Sequence, residues 1–294
     1  MNRMNDELEF YAKPGVMTDL TGFDEALRGM PDDPAGIAAA VQGVVVHLFW
    51  AKSYDIDVPV QREHEVRTRS AARMIETILH HDPRPLVERR APAERFLGNC
   101  RHFSTFTVAL LRRAGIPSRA RCGFGNYFER GKWIDHWIVE HWNGERWVRL
   151  DAQIDDLQRN ALGLAADPTD FPPGEYFLPA GEAWQRCQAG LEDGNRFGIL
   201  DMWGQWFIRG NIARDLASLN KVEMLPWDGW GDLASLEPPS GGDAYVDAIA
   251  ALTMAGDHDA VRARYESDDG LRVPRNVICF DAPTPYEDDV PEVA

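Results

Sequence analysis

A thiol, an imidazole and a carboxylate can together transfer an acyl group. The thiolate attacks a carbonyl, the imidazole moves the proton, and the carboxylate fixes the ring's tautomer and orientation. Cys100, His136 and Asp151 are the residues of this chain whose surroundings suit those tasks. Cys100 follows Asn99, a good helix cap. That puts the thiol in a first helical turn, where backbone amides and the helix dipole favour an anion and lower a thiol pKa from its ordinary value of about 8.5. His136 and Asp151 lie on two alternating runs, 133–142 and 146–151, on either side of Asn143-Gly144. Asn-Gly is a favoured two-residue hairpin turn because both positions tolerate positive φ. Such a turn sets Trp142 opposite Glu145, and therefore His136 opposite Asp151 on one face, with Cβ atoms about 5 Å apart. The other face pairs Trp137 with Leu150 and Val139 with Val148, as a packed sheet requires. Cys100 is then the nucleophile, His136 the general base and later acid, and Asp151 the orienting acid. The tetrahedral oxyanion needs fixed donors. The candidates are the Cys100 backbone amide and, secondarily, His102.

The elements that must position these groups follow from periodicity. Phe103, Phe106, Thr107, Leu110, Leu111 and Ala114 continue a helix from the Asn99 cap, closed by Gly115 with Pro117 beyond. Strands are expected over 119–124, 133–142 and 146–151, arranged antiparallel. Upstream, Asp33-Pro34 opens an apolar helix to about Trp50, and a second helix runs from about Glu65 to His80 until Asp82-Pro83-Arg84-Pro85 stops it. Downstream, Pro168 to Pro179 reads as a long surface connection. Helices are expected near 181–191, 211–221, 243–254 and 257–265. The tryptophans of that half, Trp184, Trp203, Trp206, Trp227 and Trp230, read first as packing residues; some could line a cleft. Glu140 and Arg149 share the His136 face and are expected to brace it.

With 294 residues, 44% hydrophobic and 27% charged, the chain is large enough to bury a core without staples. We expect one elaborated domain over 1–294 and a disordered acidic tail over 286–294. The net charge of −16 argues against nucleic acid or an anionic membrane as the main partner. Four dispersed cysteines form no disulfide framework and no C-x-x-C pair. The stretch Met1 to Phe10 is acidic and polar, unlike a signal peptide, and no apolar run is long enough to span a bilayer, so the cytoplasm is expected. His80-His81 lacks companion ligands, and no Asp-x-Asp-x-Asp-Gly loop is present, so neither a metal nor calcium is expected. Gly123-Phe124-Gly125-Asn126 matches no phosphate or dinucleotide loop; it is expected to turn a strand end beside the cleft. Thiol acyl transfer needs no cofactor.

The blocks Gly98-Asn99-Cys100-Arg101-His102-Phe103, Leu110 to Arg119, Gly123-Phe124, His136 to Glu140 and Trp147 to Asp151 resemble, in that order, the transglutaminase-like superfamily of papain-related cysteine enzymes. The resemblance, over about 65–153, implies an α+β core in which a nucleophile-bearing helix packs on an antiparallel sheet, with Cys100, His136 and Asp151 as its triad and an elaborated C-terminal half added. It departs after the acid: Asp151-Ala152-Gln153 stands where the family often has Asp-Pro-Thr. The leading expectation is a cysteine-dependent hydrolase acting on an amide or ester of a small molecule, peptide or protein. The alternatives are a transamidase or acyltransferase with an amine acceptor, and a binding or scaffold protein on the same core.

Overall fold

The computed structural model describes residues 3–232, 239–282 and 284–293. The fold is mixed α+β. The chain divides into two compact units, each drawn from two stretches: Met1–Ala120 with Ile138–Phe171, and Arg121–Trp137 with Pro172–Ala294. Two of the three changes of unit, at 120/121 and 137/138, fall inside strands.

The first unit opens with α1 (Arg3–Ala12) and α2 (Pro34–Val44). Asp33 caps α2 through the Gly36 amide at 2.9 Å, with Pro34 at the first helical position, as the sequence predicts. The helix does not reach Trp50. Three consecutive valines favour extended backbone, and the chain turns at Val45 into β1 (Val45–His47), followed by a 3-10 segment over Leu48–Tyr54. The next helix, α3 (Ala71–His81), starts later than Glu65. Glu65 is drawn inward instead: its carboxylate accepts from the Leu97 amide at 2.7 Å, and residues Val60–Arg67 wind as 3-10 turns. Leu97 lies in β2 (Phe96–Gly98), which pairs in parallel with β1. Then comes α4 (Cys100–Arg113), buried along nearly its whole length and packed against α1, α2, α3, β1 and β2. It ends before Gly115, whose φ of 78° is the left-handed stop the sequence requires.

Three strands follow where they are predicted: β3 (Ser118–Gly125), β4 (Trp133–Trp142) and β5 (Trp147–Leu150). β4 and β5 are antiparallel, but their register differs from the two-residue turn. Residues 143–146 form a longer loop, in which the Asn143 side-chain oxygen accepts from the Glu145 and Arg146 amides at 3.0 and 2.9 Å. Trp142 stands opposite Trp147, and Glu140 opposite Arg149. This register joins two tryptophan rings at 5.8 Å and two opposite charges at 3.2 Å, pairs that the shorter turn would separate. The slip is of two residues, so every side chain keeps its face. β5 stops at Leu150, and continuing its register would bring Asp151 level with Ile138 rather than His136. The unit closes with α5 (Asp156–Leu162), a helix capped by Asp155 that the sequence pattern does not reveal.

In the second unit, β6 (Phe177–Pro179) pairs antiparallel with Gly123–Gly125 of β3. The proline-rich connection therefore ends in buried sheet, not on the surface. After α6 (Ala180–Gln188), β7 (Phe197–Ile199) joins the start of β4 in parallel, so the sheet is not wholly antiparallel; the long connection through α6 permits that direction. β8 (Met202–Trp203) pairs with β7, and α7 (Gln205–Leu219), buried from Phe207 onward, packs against α6. After β9 (Asp228–Gly229) come α8 (Gly242–Met254) and α9 (His258–Ser267), which also pack on α7. β10 (Asn276–Cys279) lies between β9 and β11 (Tyr286–Asp289). The acidic tail expected to be disordered is thus ordered sheet over 286–289, held in part by Arg275 Nε to Asp289 at 2.7 Å; Ala294 lies outside the described residues. Trp184 and Trp230 are buried, and Trp203, Trp206 and Trp227 are half-buried. No helix among the described residues is long and apolar enough to cross a membrane.

Candidate functional site

Cys100 is the first residue of α4 and is buried. Asn99 caps it in extended conformation, with its side-chain oxygen accepting from the Arg101 amide at 3.1 Å. The reciprocal half of the capping box is a histidine: the Asn99 backbone amide donates to His102 Nδ1 at 3.1 Å. His102 Nε2 then carries the ring's proton and donates it to the Thr68 carbonyl at 2.8 Å. Burial, with the positive charge of Arg101, holds the His102 pKa well below its ordinary value, so the ring is neutral. Gly98 makes room for it, since a Cβ there would stand 2.9 Å from the Cβ of His102. His102, expected as a secondary oxyanion donor, has its Nδ1 within 3.1 Å of the Asn99 amide and 2.9 Å of the Asn99 Oδ1, and its Nε2 2.8 Å from the Thr68 carbonyl, so its ring is part of the cap at the start of α4.

Asp151 lies one residue beyond β5, fully inside the first unit. Its backbone amide donates to the Pro168 carbonyl at 2.7 Å, and its Oδ1 accepts from the Gln153 amide at 3.0 Å. Gln42 of α2 donates to the carbonyls of Ala152 and Ile154 at 3.1 and 3.2 Å. Gln153 reaches Gln158, which donates to the Tyr54 hydroxyl; Tyr54 donates to Asp155 at 2.8 Å. These glutamines fix the exit of the strand. Below it, Arg149 bonds Glu140 at 3.2 Å, Glu140 also receives Arg119 at 2.8 Å, and Arg119 bonds Glu7 at 3.0 Å. Arg149 braces the sheet, as the sequence predicts for it.

His136 sits in the β4 half that belongs to the second unit and is 2% exposed. Three aromatic rings surround it: Phe128 at 4.8 Å, Tyr127 at 5.9 Å and Phe177 at 6.5 Å between centroids. Its neighbour Asp135 receives the Asn211 side-chain amide at 2.7 Å. Burial raises the Asp135 pKa against the pull of Asn211, Arg214 and His136. The aromatic ring of neighbours was not read from the sequence, although a Gly-x-Gly strand end followed by Tyr127-Phe128 was its available signal. Trp137 is core. His81 Nε2 lies 3.1 Å from Glu65, and among the described residues no group of three or more His, Cys, Asp or Glu is arranged to hold a metal ion.

Residues 60–152 match the transglutaminase-like superfamily. This stretch contains Cys100, His136 and Asp151. That superfamily is one of cysteine-dependent hydrolases and acyl transferases. No curated protein matches the chain. A solved structure from Cytophaga hutchinsonii, named as a candidate cysteine protease, is similar at 17% identity with a TM-score of 0.32; the match spans 50% of this chain and 42% of that one.

Proposed function

We propose that this protein is a cysteine-dependent hydrolase of amides or esters, acting through a Cys100 thioester. The observation that carries the reading is Cys100 at the first position of a capped helix, inside a stretch that matches a superfamily of cysteine acyl-transfer enzymes and also holds His136 and Asp151. In the first step the Cys100 sulfur bonds to the substrate carbonyl carbon while its proton passes to His136. The tetrahedral oxyanion is met by the Cys100 amide at the helix start. The bond to the leaving nitrogen or oxygen then breaks as His136 returns the proton to it. Water attacks the thioester as it gives a proton to His136; the carbon–sulfur bond then breaks and His136 returns the proton to the sulfur, releasing the acid and the free thiol. Asp151 holds the imidazole in the tautomer these steps need.

The pH dependence of iodoacetamide alkylation, with Cys100 located by mass spectrometry, tests this. We expect an inflection well below about 8.5 that is lost in His136→Ala, and hydrolysis that disappears in Cys100→Ala. Hydrolysis unchanged in Cys100→Ala would end the covalent reading.

A further inference from the structure

We propose that the Tyr127-Phe128 aromatic pair seats the leaving group and makes this protein selective for a flat, apolar alcohol or amine; the inference rests on His136 acting as the acid–base group. Three observations within the second unit point there. The rings of Tyr127 and Phe128 lie 4.4 Å apart and both contact the His136 ring, yet these two residues are half-buried whereas His136 is 2% exposed. Gly125 keeps the strand clear for this pair, since a Cβ there would stand 3.1 Å from both rings, while Gly123 admits the Leu178 carbonyl of β6. The segment carrying the pair is tied down at both ends. Asn126 bonds the Tyr176 and Glu175 carbonyls at 3.2 and 2.7 Å, and Arg196 Nε donates to the Gly131 carbonyl at 2.7 Å. Its opposite charges, Glu129 and Lys132, are paired with each other at 2.9 Å, and Lys132 also lies over the Trp203 ring.

The chemistry then follows from reach. When the carbon–oxygen or carbon–nitrogen bond breaks, His136 must give its proton to the departing heteroatom from hydrogen-bond distance, about 3 Å. The carbon skeleton on that heteroatom therefore lies beside any ring packed on the imidazole. A preformed aromatic wall there gains by burying an apolar group against the ring faces.

The test compares kcat/KM for phenyl acetate and 2-hydroxyethyl acetate, each above the rate of Cys100→Ala, in wild type, Tyr127→Ala, Phe128→Ala and the milder Phe128→Leu. The intrinsic reactivities of the two esters cancel when the phenyl-to-hydroxyethyl ratio is compared between proteins. We expect the ratio to fall about tenfold in Phe128→Ala, as for removal of an apolar contact from a pocket, and by less in Phe128→Leu. A ratio unchanged in all three variants overturns the inference, as does a wild type that hydrolyses neither ester. Cys100 alkylation on the same preparations separates the two failures. A low inflection that depends on His136, beside an unchanged ratio, removes the aromatic pocket and leaves the catalytic reading; a missing inflection removes both.

Discussion

His102 shows how one side chain can hold the helix start on which another stands. Its ring closes the α4 cap and bonds the Thr68 carbonyl, so the cap that presents Cys100 is neutral and buried. The folded-state pKa of His102 lies below the unfolded one. The unfolded chain therefore binds a proton that the folded chain refuses, and stability is complete above about pH 6.5 and is lost as pH falls below it. We expect the urea midpoint to drop between pH 7 and pH 5, and to drop less in His102→Asn. The difference between the two proteins is the measurement, because burial raises Asp135 and Glu7, which shift stability the other way, while His141 shifts it the same way. Equal slopes in both proteins would remove His102 from this role. Asn99→Ala should cost about 1 kcal/mol by chemical denaturation, as for other cap deletions.

At the scale of elements, the β4–β5 hairpin is decided by its loop and its facing pairs together. Asn143 closes the loop through its side-chain oxygen, and Gly144 sits at a φ of 101°. Asn143→Ala removes both side-chain bonds and should lower stability by about 1 kcal/mol, with a similar loss for Gly144→Ala at its positive φ. Thermal unfolding of each variant checks this. The Trp142–Trp147 and Glu140–Arg149 pairs remain in both, so the register, read from cross-strand nuclear Overhauser effects, should be unchanged. A variant that moved to the shorter turn would show that the loop, rather than the pairs, dictates the alignment.

Over the whole molecule, a chain with net charge −16 buries many charged side chains, several of them in pairs. In the first unit, Arg119 lies between Glu7 and Glu140 and over the Trp147 ring. In the second, Arg121 makes two bonds of 2.9 and 2.8 Å to Asp215, whose Oδ1 also accepts from the Cys122 amide. Removing one partner of such a group strands a buried charge. Arg119→Met should therefore destabilise by about 3–5 kcal/mol in urea titrations, and Arg121→Met similarly. The double variant Arg119→Met with Glu140→Gln should recover part of the loss, and no recovery would argue against the pairing as its cause.

Local physics makes much of this legible in the order of residues alone. The Asn99 cap, the helix that follows to Arg113, the Gly115 stop and the three strands are short-range consequences of residue type and period. The sequence also determined the faces of β4 and β5, because alternation survives a shift of two residues. Tertiary structure decided the rest. It set the hairpin register, because facing Trp and charged pairs outweigh the local preference of Asn-Gly. It turned residues 45–47 into strand, because β2, distant in sequence, offers them a partner. It ordered 286–289 beside β10 for the same reason. It also placed His102 in the cap of α4 and surrounded His136 with Tyr127, Phe128 and Phe177, since hydrogen-bond partners and ring contacts across the fold leave no period in the chain.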